Sequence, residues 1–140
     1  MFLLDTNVIS ELRKNRPHGA VLAWRRSMPL DQLAIPAVVI GEIQAGAEIT
    51  RRQDREKAAE IESWLNRVMN YYRILPMDGE AFRELVRLIA GKPTKFDGDA
   101  MIAATARVHD CTIATRNTKH FRRFSIEVFD PFTYAPGMKN

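Results

Sequence analysis

Three acidic side chains stand where the chain offers them no cation. Asp5 closes the apolar opening run Met1-Phe2-Leu3-Leu4 and is followed by Thr6 and Asn7. Glu42 lies within Val38-Val39-Ile40-Gly41-Glu42-Ile43-Gln44-Ala45-Gly46, and Asp99 opens Asp99-Ala100-Met101-Ile102-Ala103-Ala104-Thr105-Ala106. On a helix the neighbours of a side chain sit three and four residues away. For Glu42 these are Val38, Val39, Ala45 and Gly46, none able to form an ion pair, and the same positions are expected to pack inward. A carboxylate withdrawn from water needs a partner, so the pattern predicts a positive charge supplied from outside the chain. An all-oxygen set of Asp, Glu and Asp selects a hard cation, Mg²⁺ or Mn²⁺, over zinc.

Two of the acids also have a structural role open to them. Asp5 and Asp99 could both cap the helices that follow them, and a cap can coexist with a ligand because one oxygen serves each. Asp97, separated from the next helix by Gly98, reads as a loop acid beside the site. Thr115 and Asn117 follow a predicted strand, where a hydroxyl and an amide suit the orientation of water near the metal; Asn117 equally suits a turn beginning at Thr118. Other chemistries fall away. His18, His109 and His120 lack metal-ligand spacing, Cys111 is the single cysteine, and no glycine-rich phosphate loop is present.

Such acids need elements to hold them. Phe2–Leu4 reads as a first strand and Val8 to Lys14 as the helix after it. Val21, Leu22, Trp24 and Met28 stripe a second helix; Leu33-Ala34-Ile35 is a strand closed by Pro36, with a third helix from Pro36 to Ile49. A charged helix is expected over Arg51 to Tyr71, with Ala58, Ile61, Trp64, Leu65 and Val68 on one face. Arg73-Ile74-Leu75 is a third strand, and Asp78 caps a helix through Phe82, Leu85, Val86 and Ile89. Asp99 to His109 is helical, Thr112 to Thr115 a strand, and Ile126 to Phe129 the last strand. Short strands alternating with helices predict an α/β protein, its parallel sheet covered on both faces.

The totals agree. The 140 residues suffice for one domain over 1–140, with the end from Pro136 to Asn140 expected to fray. Apolar residues at 46% and charged residues at 27% exclude wholesale disorder. No stretch is long and apolar enough for a membrane span, and a lone cysteine fits a reducing cytoplasm. Lys and Arg outnumber Asp and Glu by 21 to 17, for a net charge of +4. They cluster at Arg13-Lys14, Arg25-Arg26, Arg51-Arg52 and Arg122-Arg123, a distribution suited to holding a polyanion around an acidic cleft.

Four segments in order resemble the PIN-domain nucleases, and within them the VapC-like toxins of type II toxin–antitoxin pairs. They are Phe2-Leu3-Leu4-Asp5-Thr6-Asn7-Val8-Ile9-Ser10, Ile40-Gly41-Glu42-Ile43, the run from Asp99 to Ala106, and Ala114-Thr115-Arg116-Asn117-Thr118-Lys119-His120-Phe121. The resemblance implies a three-layer α/β/α sandwich around a parallel sheet of about five strands. It implies Asp5 and Asp99 as direct ligands of Mg²⁺ or Mn²⁺, with Glu42 binding a metal-held water or a second ion, and it favours Asp99 over Asp97. Many members carry a fourth acid where this chain has Asn117, which lowers the negative charge available.

The same resemblance implies an endoribonuclease in which metal-activated water cleaves RNA, tRNA or another structured RNA. It also implies a cognate antitoxin covering the site, operator DNA bound through that antitoxin, and a homodimer. Two rivals are weighed against it. A phosphatase of the haloacid dehalogenase type needs a second acid where Asn7 stands and another where Ala103 stands. A non-catalytic PIN-like module, binding a partner and with it operator DNA, is the alternative that Asn117 keeps open.

Overall fold

The computed structural model describes residues 1–137; of the tail expected to fray, Met138, Lys139 and Asn140 lie outside the described residues. Five short strands form one parallel sheet: β1 (Phe2–Leu4), β2 (Leu33–Pro36), β3 (Arg73–Leu75), β4 (Thr112–Ala114) and β5 (Val128–Phe129). Their spatial order is β3-β2-β1-β4-β5. Successive strand residues point to opposite faces. Leu3 and Leu4 are both fully buried, as are Ala34 and Ile35, so helices cover the sheet on both sides. This is the three-layer arrangement expected of parallel strands.

The order places a topological switch at β1. The chain steps outward from β1 through β2 to β3, then returns to lay β4 on the other side of β1. In open parallel sheets, ligands bind beyond the carboxyl ends of strands at such a switch. Here Asp5 follows β1 and Thr115 follows β4, and the Asp5 amide donates to the Ala114 carbonyl at 3.0 Å.

Among the described residues, seven α-helices surround the sheet: α1 (Thr6–Arg13), α2 (Gly19–Ser27), α3 (Ala37–Arg51), α4 (Arg55–Tyr71), α5 (Gly79–Ile89), α6 (Gly98–His109) and α7 (Thr118–Arg122). The first starts two residues earlier than its apolar pattern suggests, because Asp5 caps it. On α2, Trp24 is fully buried, its ring edge-on to Phe2 at 5.3 Å and 5.8 Å from Phe129. Met28 falls just past that helix rather than within it. The last two strands are shorter than expected: β4 stops at Ala114 and β5 begins at Val128.

Two departures bear on the site. The helix expected over Arg51 to Tyr71 starts later: α3 runs on through Arg51, and Asp54 caps α4 by accepting from the Lys57 amide at 2.9 Å. The two helices then lie against each other. Arg51 joins them, reaching Glu48 at 3.2 Å and Glu62 at 2.6 Å. The other departure concerns the face of α3. The stripe Val39, Ile43 and Ala47 packs inward, whereas Glu42, Ala45 and Gly46 are exposed. The inward packing expected for Glu42's neighbours therefore fails for Ala45 and Gly46.

On α5, Ala81, Leu85 and Leu88 supply the buried stripe, and Phe82 and Val86 remain 43% and 52% exposed. Asp78 caps this helix as expected, accepting from the Ala81 amide at 3.1 Å.

Candidate active site

Asp5 is the most enclosed of the three acids, 5% exposed. Its Oδ1 accepts from the Thr6 amide at 2.7 Å, and its Oδ2 accepts from the Thr115 hydroxyl at 2.7 Å and the Asn7 amide at 3.2 Å. Capping and site geometry coincide here, since the bond to Thr6 begins α1 while Oδ2 faces across the switch toward β4. Burial pushes the Asp5 carboxyl above its ordinary value; the donors oppose the shift and Asp99 adds to it.

Glu42 reaches the same place from α3. Its Oε1 accepts from the Thr6 hydroxyl at 2.9 Å. Partial burial raises its pKa, the Thr6 bond opposes this, and Asp5 and Asp99 add repulsion. Its other oxygen lies over the start of α6, where a Cβ on Gly98 would stand 2.7 Å from Oε2. Glycine at 98 thus leaves room for the carboxylate. Burial applies in earnest only to Asp5, because Glu42 is exposed and the Asp99 side chain is 34% exposed.

At α6 the assignment of roles changes. The helix begins at Gly98, and its cap is Asp97, whose Oδ1 accepts from the Ala100 amide at 2.8 Å. The cap role expected for Asp99 is therefore filled by its neighbour, and Asp97 is not a plain loop acid. Its second oxygen meets Arg123 at 3.5 Å. Released from capping, Asp99 sits in the first turn with Oδ2 3.3 Å from His120 Nδ1. The fully buried Thr115 works between the elements, its hydroxyl donating to Asp5 and accepting from the Asn117 amide at 3.0 Å. Asn117 precedes α7 without a side-chain capping bond, so the side-chain cap at Thr118 is not formed.

The structure brings Asp5, Glu42 and Asp99 close enough to repel one another, with Thr6 and Thr115 as hydroxyl tethers. Among the described residues, no three Asp, Glu, His or Cys side chains are arranged as a metal-binding group. The donor set nevertheless fits a hard divalent cation: oxygens only, mutually repelling, with Glu42 Oε2 accepting no hydrogen bond among the described residues. Residues without a predicted catalytic role complete the surroundings. Asn7 ties Asp5 to Thr115 and accepts from the Arg116 amide at 3.0 Å, while Gly98 and His120 touch the acids directly. Asn7 was visible in the opening motif. His120 lies in the fourth segment, but its pairing with Asp99 follows no helical or strand spacing along the chain.

A parallel sheet with acids gathered at the carboxyl end of its switch point defines an open α/β protein with an acidic cleft. The chain belongs to the PIN-domain family, whose description matches residues 2–127. It is similar to the VapC ribonuclease Y4jK of Sinorhizobium fredii, at 35% identity across 96% of this chain and 100% of that one. It is likewise similar to the toxin FitB of Neisseria gonorrhoeae, at 33% identity across 94% of this chain and 99% of the relative. Among solved structures, FitAB bound to the IR36 DNA fragment superposes with a TM-score of 0.82 at 29% identity, covering 99% of this chain and 100% of the other.

Proposed function

We propose that this protein is the ribonuclease toxin of a toxin–antitoxin pair, hydrolysing RNA phosphodiester bonds with Mg²⁺ or Mn²⁺. The observation that carries the reading is the gathering of Asp5, Glu42 and Asp99 at the sheet's switch point in a chain similar end to end to a VapC ribonuclease. Asp5, Glu42 and Asp99 would hold the cation. When bound, it would offset charge on the scissile phosphate and lower the pKa of water.

The chain's own residues do the positioning. Thr115, Asn7 and the Thr6 amide fix the Asp5 carboxylate from three directions, so its orientation is set before any ligand arrives. Thr6 holds Glu42 at the same point, where its free oxygen can orient the attacking water. Thr115 also secures the turn carrying Asn117 by accepting its backbone amide, which leaves the Asn117 side-chain amide to meet a water or phosphate oxygen. The hydroxyls of Thr6 and Thr115 are engaged with Glu42 and Asp5, and water attacking in line needs no nucleophilic side chain.

The similarity to FitB, and of this fold to FitAB on DNA, supports a cognate antitoxin that covers the cleft and carries the pair to operator DNA. Homodimerisation and a cytoplasmic location complete the reading. Among the described residues, no helix is long and apolar enough to cross a membrane.

The test is RNA cleavage by the purified protein freed of partner, titrated with Mg²⁺ or Mn²⁺ and stopped with EDTA. Cleavage that follows the metal supports the reading. Full activity in EDTA refutes the metal mechanism, and RNA left intact at every metal concentration leaves the non-catalytic binding module standing.

A further inference from the structure

Beside the acids runs an open trough of about 890 Å³ between α1, α3 and α4, and Thr6 and Glu42 form part of its wall. Thr6, Ser10 and Arg13 line it along α1, while Glu42, Gly46 and Thr50 line it along α3. At about 1.5 Å per helical residue, the eight steps from Glu42 to Thr50 give roughly 12 Å of wall. That length spans about three nucleotides at a stacked rise of ~3.4 Å.

Its charge is unlike that of the acidic end. Arg13, Lys57 and Arg67 line the trough and form no salt bridge among the described residues, whereas Arg51, Arg83 and Arg87 elsewhere on the helices do. Lys14 is held by Glu11 at 2.9 Å, and Glu60 is the one acid on the α4 wall. Trp64 lies among these cations, with the Arg13 guanidinium 5.6 Å from its ring centroid. An indole beside a planar cation is a platform on which nucleobases stack.

Gly46 gives the trough its width. A Cβ there would meet nothing within 4 Å, so no close approach requires glycine, and glycine weakens a helix interior relative to alanine. A larger side chain at 46 would project into the open space.

Resting on the ribonuclease reading, we propose that this trough seats the single-stranded RNA leading away from the cut. Phosphates lie on Arg13, Lys57 and Arg67, and a base lies on Trp64. Its cations, free of salt bridges among the described residues, match the charge of a phosphodiester strand, and Glu42, one of the three acids that would cut one, forms part of its wall.

The test measures binding without cleavage: fluorescein-labelled oligouridylate of twelve nucleotides, in EDTA, followed by anisotropy and by tryptophan fluorescence. Only two tryptophans are present, and Trp24 is fully buried, so quenching reports Trp64. The native protein should bind with quenching. Gly46→Leu should weaken binding at least tenfold, and the quench should vanish in Trp64→Phe. Lys57→Ala combined with Arg67→Ala should reduce the log–log salt slope by about 1.4, two single-strand contacts at ~0.7 each.

Melting curves identify any variant that fails to fold, and the charge pair keeps the test valid if Gly46→Leu does. Equal binding by native protein, Gly46→Leu and the charge pair, with Trp64 unquenched, overturns the proposal and leaves the trough to a protein segment. Cleavage of a uridylyl dinucleotide with Mn²⁺ separates the two readings. If native protein cuts neither the dinucleotide nor longer RNA while the trough still binds RNA, the ribonuclease reading fails and the trough remains an RNA-binding groove with no cut beside it. If the dinucleotide is cut equally well by native protein and Gly46→Leu, the loss of binding belongs to the trough.

Discussion

Asp97 and Asp99 show how two like residues, two positions apart, divide two tasks. Asp97 accepts the Ala100 amide and begins α6, leaving Asp99 to face the other acids. Asp99→Asn should abolish nearly all RNA cleavage, whereas Asp97→Asn should retain most of it, since asparagine caps about as well as aspartate. Inverted activities of the purified variants would make Asp97 the ligand.

Asp5 yields a second prediction, with a pH dependence. Its carboxyl and that of Glu42 are held above their ordinary values, chiefly by burial and then by the other acids. A raised carboxylate pKa stabilises the metal-free fold fully below the unfolded value, and this contribution is lost as pH rises through the folded value. The metal-free protein should therefore lose stability from about pH 4 toward neutrality through these groups. Asp5→Asn should leave the melting temperature at pH 7 unchanged or higher, while Asp5→Ala should lower it through loss of the cap. Thermal melts of native protein and Asp5→Asn at pH 4, 5.5 and 7 test both: the native protein should lose ground to the variant as pH rises. Because the lowered carboxyls of Glu11, Glu48 and Glu62 act alike in each, a constant difference would contradict the assignment.

At the scale of elements, aspartate caps set four of the helix starts. Asp5, Asp54, Asp78 and Asp97 each accept a backbone amide where a helix starts. Asp54 separates α3 from α4 and so gives the trough its second wall. Its replacement by alanine should cost about 0.5–2 kcal/mol, the ordinary value of an N-cap. It should also weaken RNA binding more than it affects cleavage of a dinucleotide, because α4 carries Lys57, Trp64 and Arg67. Chemical denaturation beside the two activity measurements reads these effects separately. Unchanged stability would mean that the Asp54 bond is not needed to start α4.

For the whole molecule, the sheet's switch point joins segments from both ends of the chain. Asp5 and Thr115 are 110 positions apart, and their hydrogen bond closes the site. A cation bound there links these segments and should stabilise the native state by mass action, by about 1.4 kcal/mol for each tenfold excess over its dissociation constant. Melting temperature should thus climb with Mn²⁺ in the native protein and stay flat in Asp5→Asn. A flat native curve would remove the metal from the proposed function.

The alternation of short apolar strands with helices was legible along the chain, because buried parallel strands and amphipathic helices leave unlike hydrophobic periods. So were the three acids, since Asp5 and Asp99 border apolar segments and Glu42 has no ion-pair partner within helical reach. What periodicity could not resolve was direction and division of labour. Ala45 and Gly46 looked inward-facing by composition, yet Val39, Ile43 and Ala47 took the core, because a helix can bury one stripe against a flat sheet. The cap was expected of Asp99, with Asp97 a loop acid, and the start of α6 at Gly98 gave the cap to Asp97 instead. His120 met Asp99, and Gly98 made room for Glu42, only when α3, α6 and α7 converged. Local sequence determined the elements and the chemical type of their residues; three-dimensional packing decided which faces opened, because burial is a property of surfaces that meet.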